Sequence, residues 1–230
     1  MDAGKTITVA GFTAILIRKK VKNVRVTIVP PDGEVRVSAP RFYPETLIRA
    51  FLLERADWIR AHIEQVRSSH VDEPRNYVSG ETVRLFGQTL PLEVREHQKK
   101  NGVTLEPDRI VLSLRSESTP EKREAILNDW LRERLKAEIE HYLPLWSGLT
   151  GLVPDAWAVR DMTSRWGSCN TRTKKINLNL QLVRYPVICL EYVILHELAH
   201  LQVHGHGPEF KAILNAHMPD WKARKKLLNG

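Results

Sequence analysis

Apolar and polar residues alternate from residue 6 to residue 39, where Val24, Val26 and Ile28 are separated by the turn PPDG from Val35 and Val37. A period of two turns one face of each strand inward, so this stretch predicts a β-hairpin. The period then lengthens to that of a helix. In FYPETLIRAFLLERADWIRAHIEQVR, Pro44 suits a first helical turn, and Ile48, Phe51, Leu52, Ile59 and Ile63 form an apolar stripe, predicting one amphipathic helix over 44–67. Between residues 77 and 114 the runs VRLFG, LPLEVRE and RIVLSL are parted by Gly, Asn and Pro, which predicts a small antiparallel sheet. Residues 1–117 therefore read as a β-rich module carrying one long helix.

A second half, residues 118–230, opens at SESTPEKREAILNDWLRERLKAEIEHYLPLW. There Ser118 and Glu121 have capping-box spacing, and Ile126, Leu127, Trp130, Leu131, Leu135, Ile139 and Leu143 form a buried stripe. Two strands follow, AWAVRDM and KINLNLQLV, the second alternating Ile176, Leu178, Leu180 and Leu182, with TSRWGSCNTRTKK connecting them. Pro186 starts the helix PVICLEYVILHELAHLQVH, in which Ile188, Val193, Ile194, Leu198 and Leu201 are available for packing. Gly205 and Gly207 are placed to end it at positive φ, and Pro208 to begin PEFKAILNAH. The fold class is α+β: a β-rich N-terminal half, then a helical half with a small antiparallel sheet.

Composition narrows the class. An apolar share of 42% and a charged share of 27% describe a globular chain rather than a disordered or membrane one. Cys169 and Cys189 form no C-x-x-C pair, so both read as reduced thiols. ITVAGFTAILI reads as strand, because Asp2 weakens a basic leader and threonines interrupt the apolar run; the expected location is the cytoplasm. A net charge of +8 and a pI of about 9.6 raise the prior for polyanionic partners. The basic clusters RKKVKNVR (18–25) and KARKKLL (222–228) read as solvated faces or as docking sites for nucleic acid. The pattern assigns no oligomeric state.

The chemistry concentrates in HELAHLQVHGH, residues 196–206. At about 100° per residue, His196 and His200 lie about 40° apart on a helix with Glu197 in the same arc. Two imidazoles on one face can bind one cation while the carboxylate, not itself a ligand, reaches water on the open side. A catalytic site needs a third protein ligand, for which His206, ten residues after His196, has metzincin spacing and His204 is the competitor. Metzincins place Gly three residues after the second His, where this chain has Val203. Zinc is the expected ion, although three imidazoles also accept nickel, cobalt or copper.

SRWGSC, KINLN, YVILHELAHL, HGPEF and the late PDWKARKKLL together resemble the YgjP-like metal-dependent hydrolases, relatives of the SprT-like zincins. The motifs cover residues 160–228, and WI at 58 and 59 fits the family's looser N-terminal pattern. The resemblance implies a zincin-like catalytic half in which His196, His200 and His206 hold the metal and Glu197 is the acid/base. The family commonly shows Asn-His-Ser where this chain has Gly205, His206 and Gly207, which removes polar support from beside His206.

Arg165 in SRWGSC reads either as a fork for a carboxylate, phosphate or developing oxyanion, or as structural. Trp166 reads as a core anchor, Gly167 as a turn residue, and Cys169 as a small packing residue rather than a nucleophile. The expected mechanism is hydrolysis by metal-activated water with Glu197 as general base. Peptide is the first expected substrate, paired against KINLNLQLV as an edge strand. The alternatives are a nucleotide phosphohydrolase and a nucleic-acid-associated metalloprotein.

Overall fold

The computed structural model of the chain describes residues 4–29, 32–69 and 75–229. They form two compact units, one up to Arg75 and one from Asn76 onward.

In the N-terminal unit the alternating stretch becomes four strands: β1 (Lys5–Val9), β2 (Phe12–Lys19), β3 (Arg25–Val29) and β4 (Glu34–Pro40). They are ordered β1-β2-β4-β3, with β3 and β4 antiparallel as the hairpin pattern predicts and β2 and β4 parallel. Pro30 and Pro31 of the expected turn lie outside the described residues. The single helix expected over 44–67 is two, α1 (Glu45–Glu54) and α2 (Ala56–Ser69), broken at Arg55 with φ −106° and ψ 13°. No Gly or Pro marks the break, and the inward stripe of Ile48, Leu52, Ala56 and Ile59 runs through it. Together with Ile7, Phe12, Ala14, Leu16, Val35, Val37 and Ala39 from the sheet, these residues form the unit's core.

The C-terminal unit begins with β5 (Thr82–Leu85), β6 (Gln88–Arg95), β7 (Gly102–Leu105) and β8 (Ile110–Ser113), ordered β5-β6-β8-β7. This sheet is mixed rather than antiparallel, because β6 and β8 run parallel. It also belongs with the helical half, not with residues 1–75: Val83, Leu85, Leu92, Ile110, Leu112 and Leu114 share one core with the residues that follow. The division expected at 117/118 therefore falls at 75/76, because these strands bury their apolar face against α3 (Pro120–Thr150) and its neighbours.

The N-cap of α3 is Thr119, one residue after the expected Ser118. Proline lacks an N–H and favours the first helical position, so Pro120 sets the start and the Thr119 hydroxyl accepts from Lys122 N. Leu127, Leu131, Leu135, Ile139 and Leu143 bury the predicted stripe. The helix ends at Gly151, whose φ of 72° is left-handed and suits glycine.

A second sheet contains β9 (Ala156–Arg160), β10 (Gly167–Asn170) and β11 (Lys175–Asn179), ordered β10-β11-β9. It too is mixed, with β9 and β11 parallel. KINLNLQLV is strand only to Asn179, and Leu180–Arg184 form a 3-10 turn. β11 is the central strand with both edges taken, so it is not the edge strand expected to receive a peptide. The outer strands are β9 and β10, the latter inside the segment read from sequence as a connection.

Against this sheet and α3 lies α4 (Val187–Gln202), with Cys189, Leu190, Val193, Ile194, Leu195, Leu198 and Ala199 buried. A helix apolar nearly all round is a central one. Its Ile188, expected to pack, is instead exposed. α4 ends at Val203 with φ −128°, so Gly205 and Gly207 do not supply the positive φ expected of them. α5 (Pro208–His217) and α6 (Trp221–Asn229) complete the unit.

Candidate metal centre and active site

Three side chains from two elements converge on one point. α4 presents His196 and His200 one turn apart, and the loop before α5 brings back His206. His206 Nε2 lies 3.1 Å from His196 Nε2 and 3.2 Å from His200 Nε2. The ligand atoms of the three all lie within 4.8 Å of one another. His204, the competitor, lies beyond the end of α4 and is exposed outside this cluster.

The donor chemistry fits a cation. A carbonyl oxygen only accepts, so the 3.0 Å contact of His200 Nδ1 with Val203 O puts the proton on Nδ1 and leaves Nε2 bare. A proton on His206 Nε2 then serves one neighbouring Nε2 at a time, leaving lone pairs facing one another. One divalent ion satisfies all three, since ligands at about 2.0–2.1 Å in tetrahedral array stand about 3.3–3.4 Å apart. Ligation also needs neutral imidazoles. Burial pushes His196 down to about 3, aided by the charges of His200, His206 and Lys225. Burial first, then His200 and Lys225, also lowers His206.

Phe210, one turn into α5, holds the trio from behind: its ring centroid lies 4.9, 4.7 and 4.8 Å from those of His196, His200 and His206. It is buried and does not line the adjoining cavity. Gly205 and Gly207 flank His206 without side chains, and this contact supplies its packing support. The signal for Phe210 in the sequence is Pro208, which fixes the start of α5 and hence Phe210's place.

Glu197, only 4% exposed, has its Oε2 buried with no hydrogen-bond partner among the described residues. Burial pushes its carboxyl up to about 8, with the Arg165 charge pulling the other way. Its side chain lies on the backbone of β10. A Cβ at Gly167 would stand 2.8 Å from both Cγ and Cδ of Glu197, closer than real Cβ atoms come. Gly167 is therefore not the expected turn residue; it is a strand residue whose missing side chain makes room for the carboxylate.

The segment before β10 is pinned by Asn179, 3% exposed. Its Nδ2 donates to Met162 O at 2.7 Å and to Arg165 O at 2.8 Å, while its backbone N donates to Trp166 O at 2.9 Å. The Asn at the end of KINLN thus fixes where Arg165 and Gly167 sit, a role no spacing announced. Trp166 packs edge-on to Tyr185 at 5.0 Å and its Nε1 donates to Asn229 Oδ1 at 3.1 Å. Arg165 is exposed, without a side-chain hydrogen bond among the described residues, and lines the cavity with Glu197, His196 and His206. That cavity has a volume of about 310 Å³. Burial and the Glu197 charge push Cys169 up to about 11, keeping it a protonated thiol rather than a nucleophile. Tyr192 is likewise raised to about 12 by burial and Glu197, and its hydroxyl lies 3.4 Å from His196 Nδ1.

A buried helix carrying two imidazoles and an unpartnered carboxylate, with a third imidazole folded back from the next loop, defines the class of HExxH-type metal centres. Family comparison agrees with this class: the model of the YgjP-like metallopeptidase domain matches residues 22–230, and the chain belongs to that family. No curated protein matches this chain. Among solved structures, the chain is similar to the metallopeptidase zymogen abylysin of Pyrococcus abyssi at 18% identity and a TM-score of 0.37, covering 39% of this chain and 90% of that one. It is also similar to the zymogen jannalysin of Methanocaldococcus jannaschii at 21% identity and a TM-score of 0.35, covering 39% and 92%. None of the described helices is long and apolar enough to cross a membrane.

Proposed function

We propose that the chain is a metal-dependent peptidase of the HExxH type, with zinc held by His196, His200 and His206 and Glu197 as the general base. The observation that carries this reading is the buried, unpartnered Glu197 Oε2 beside three converging imidazole nitrogens. When bound, the ion supplies a Lewis acid that acidifies water and polarises a carbonyl. Glu197 Oε2 accepts the proton of the attacking water and delivers it to the leaving nitrogen. Gly167 keeps the carboxylate in place by leaving it room, and the Arg165 guanidinium lines the same cavity. An extended peptide pairs with the free edge of β10. Two free thiols suit a cytoplasmic setting.

A second reading, hydrolysis of nucleotide phosphates, is favoured by one feature: Arg165 and Lys225 both line the cavity. Incubating the protein with a peptide library and, separately, with nucleoside triphosphates decides between them. The expected result is peptide cleavage that chelator abolishes and zinc restores, with Glu197→Gln keeping the metal and losing about 10²–10⁴-fold in turnover. Undiminished turnover in Glu197→Gln removes the assigned base. Phosphate release without peptide cleavage replaces the first reading with the second.

A further inference from the structure

The basic run at 222–228 divides on α6. Arg224 is held by carboxylates, with Nε 2.8 Å from Asp220 and Nη1 3.4 Å from Glu191 of α4. Lys225, the next residue and so about 100° round the helix, lines the cavity beside the histidines and has no ion pair among the described residues. Arg165 reaches the same cavity from the segment that Asn179 pins, and it too has none. Glu197 is the only carboxylate in the lining. Trp166, Tyr192 and Val193 make much of the remaining wall apolar. Two cations without ion pairs among the described residues against one carboxyl leave the cavity short of an anion.

We propose that Lys225 and Arg165 form a subsite for a carboxylate of the substrate, next to the bond that is cleaved. The inference rests on the peptidase reading. The carboxylate is either the free C-terminus of a peptide or an Asp or Glu side chain within it; the hydrocarbon part lies on the Trp166 and Tyr192 wall. Because both cations are exposed, the preference weakens as salt rises.

Binding tests this without turnover. The full-length zinc-loaded Glu197→Gln protein is titrated with two pairs of peptides: one pair ends in acid or amide, the other carries an internal Glu or Gln. The expected result is about threefold to tenfold tighter binding of the acid member of at least one pair at low salt. The first pair identifies a terminal carboxylate and the second a side chain. Lys225→Met should remove most of the preference and Lys225→Arg keep it, with thermal midpoints close to the parent's because Lys225 is exposed. Equal binding of acid and neutral members, or a preference that survives Lys225→Met combined with Arg165→Met, overturns the subsite. Peptide cleavage by the wild-type protein without acid preference sinks the subsite alone, whereas acid preference without any cleavage sinks the peptidase reading alone.

Discussion

The two units differ in what they bury. Among the described residues the N-terminal core is made of apolar side chains alone, from Ile7 to Ile59, and charges pair at the surface, as Lys5 does with Glu45 at 2.7 Å. The C-terminal unit buries Ser147, Asn179 and Glu197. Asn179 satisfies its polar atoms by fastening the Arg165 segment, but Glu197 leaves an oxygen without a partner. An uncompensated buried carboxyl costs on the order of a few kcal/mol. The difference teaches where to look for chemistry: among the described residues one unit buries only apolar side chains, and the other buries a carboxyl oxygen that no neighbour pairs, where the proposed mechanism puts its proton transfer.

The contrast can be broken most sharply at Gly167. Its backbone is ordinary strand, so alanine is compatible with the chain path, and the atoms its Cβ meets first all belong to the Glu197 side chain. Gly167→Ala should retain the metal and lose about 10–100-fold in turnover, since a displaced catalytic group costs roughly that much. Unchanged turnover would mean that Glu197 is not held where it acts.

A smaller effect sharpens the comparison through pH. In metal-free protein the folded Glu197 carboxyl sits at about 8, above the ordinary 4.5, so the folded state keeps a proton that the unfolded state releases. Stability therefore falls as pH rises from about 4.5 to about 8. His196, at about 3 rather than 6.5, acts oppositely: stability is lost as pH falls from 6.5 towards 3. The two offset between pH 4.5 and 6.5, leaving Glu197 alone above 6.5. Denaturant titrations of metal-free protein should lose about 2 kcal/mol between pH 6.5 and 8, and Glu197→Gln should not. A matching loss in both proteins would place the pH dependence elsewhere.

Much of this organisation was legible in sequence because periodicity reports burial. The α3 stripe, the β3–β4 hairpin and the α4 core all follow from apolar spacing, and His196, Glu197 and His200 follow from helical geometry. Elements that carry no periodicity were missed. β10 is four small or polar residues, GSCN, held as a strand by pairing with β11 and not by any pattern of its own. The break at Arg55 leaves the inward stripe in phase, so nothing along the chain signals it. Parallel pairing of β6 with β8 and of β9 with β11 depends on contacts distant in sequence. The same holds for Asn179 and Phe210, whose roles come from which atoms they meet in space rather than from spacing.

The claim on which the rest depends is that three imidazoles share one divalent ion. Elemental analysis of purified wild-type, His206→Ala and Glu197→Gln proteins tests it directly. The account predicts one equivalent of divalent metal in wild type and in Glu197→Gln, with affinity reduced by more than about 100-fold in His206→Ala, since even the partners of ligands contribute 10–100-fold. A full equivalent bound with undiminished affinity in His206→Ala would contradict it.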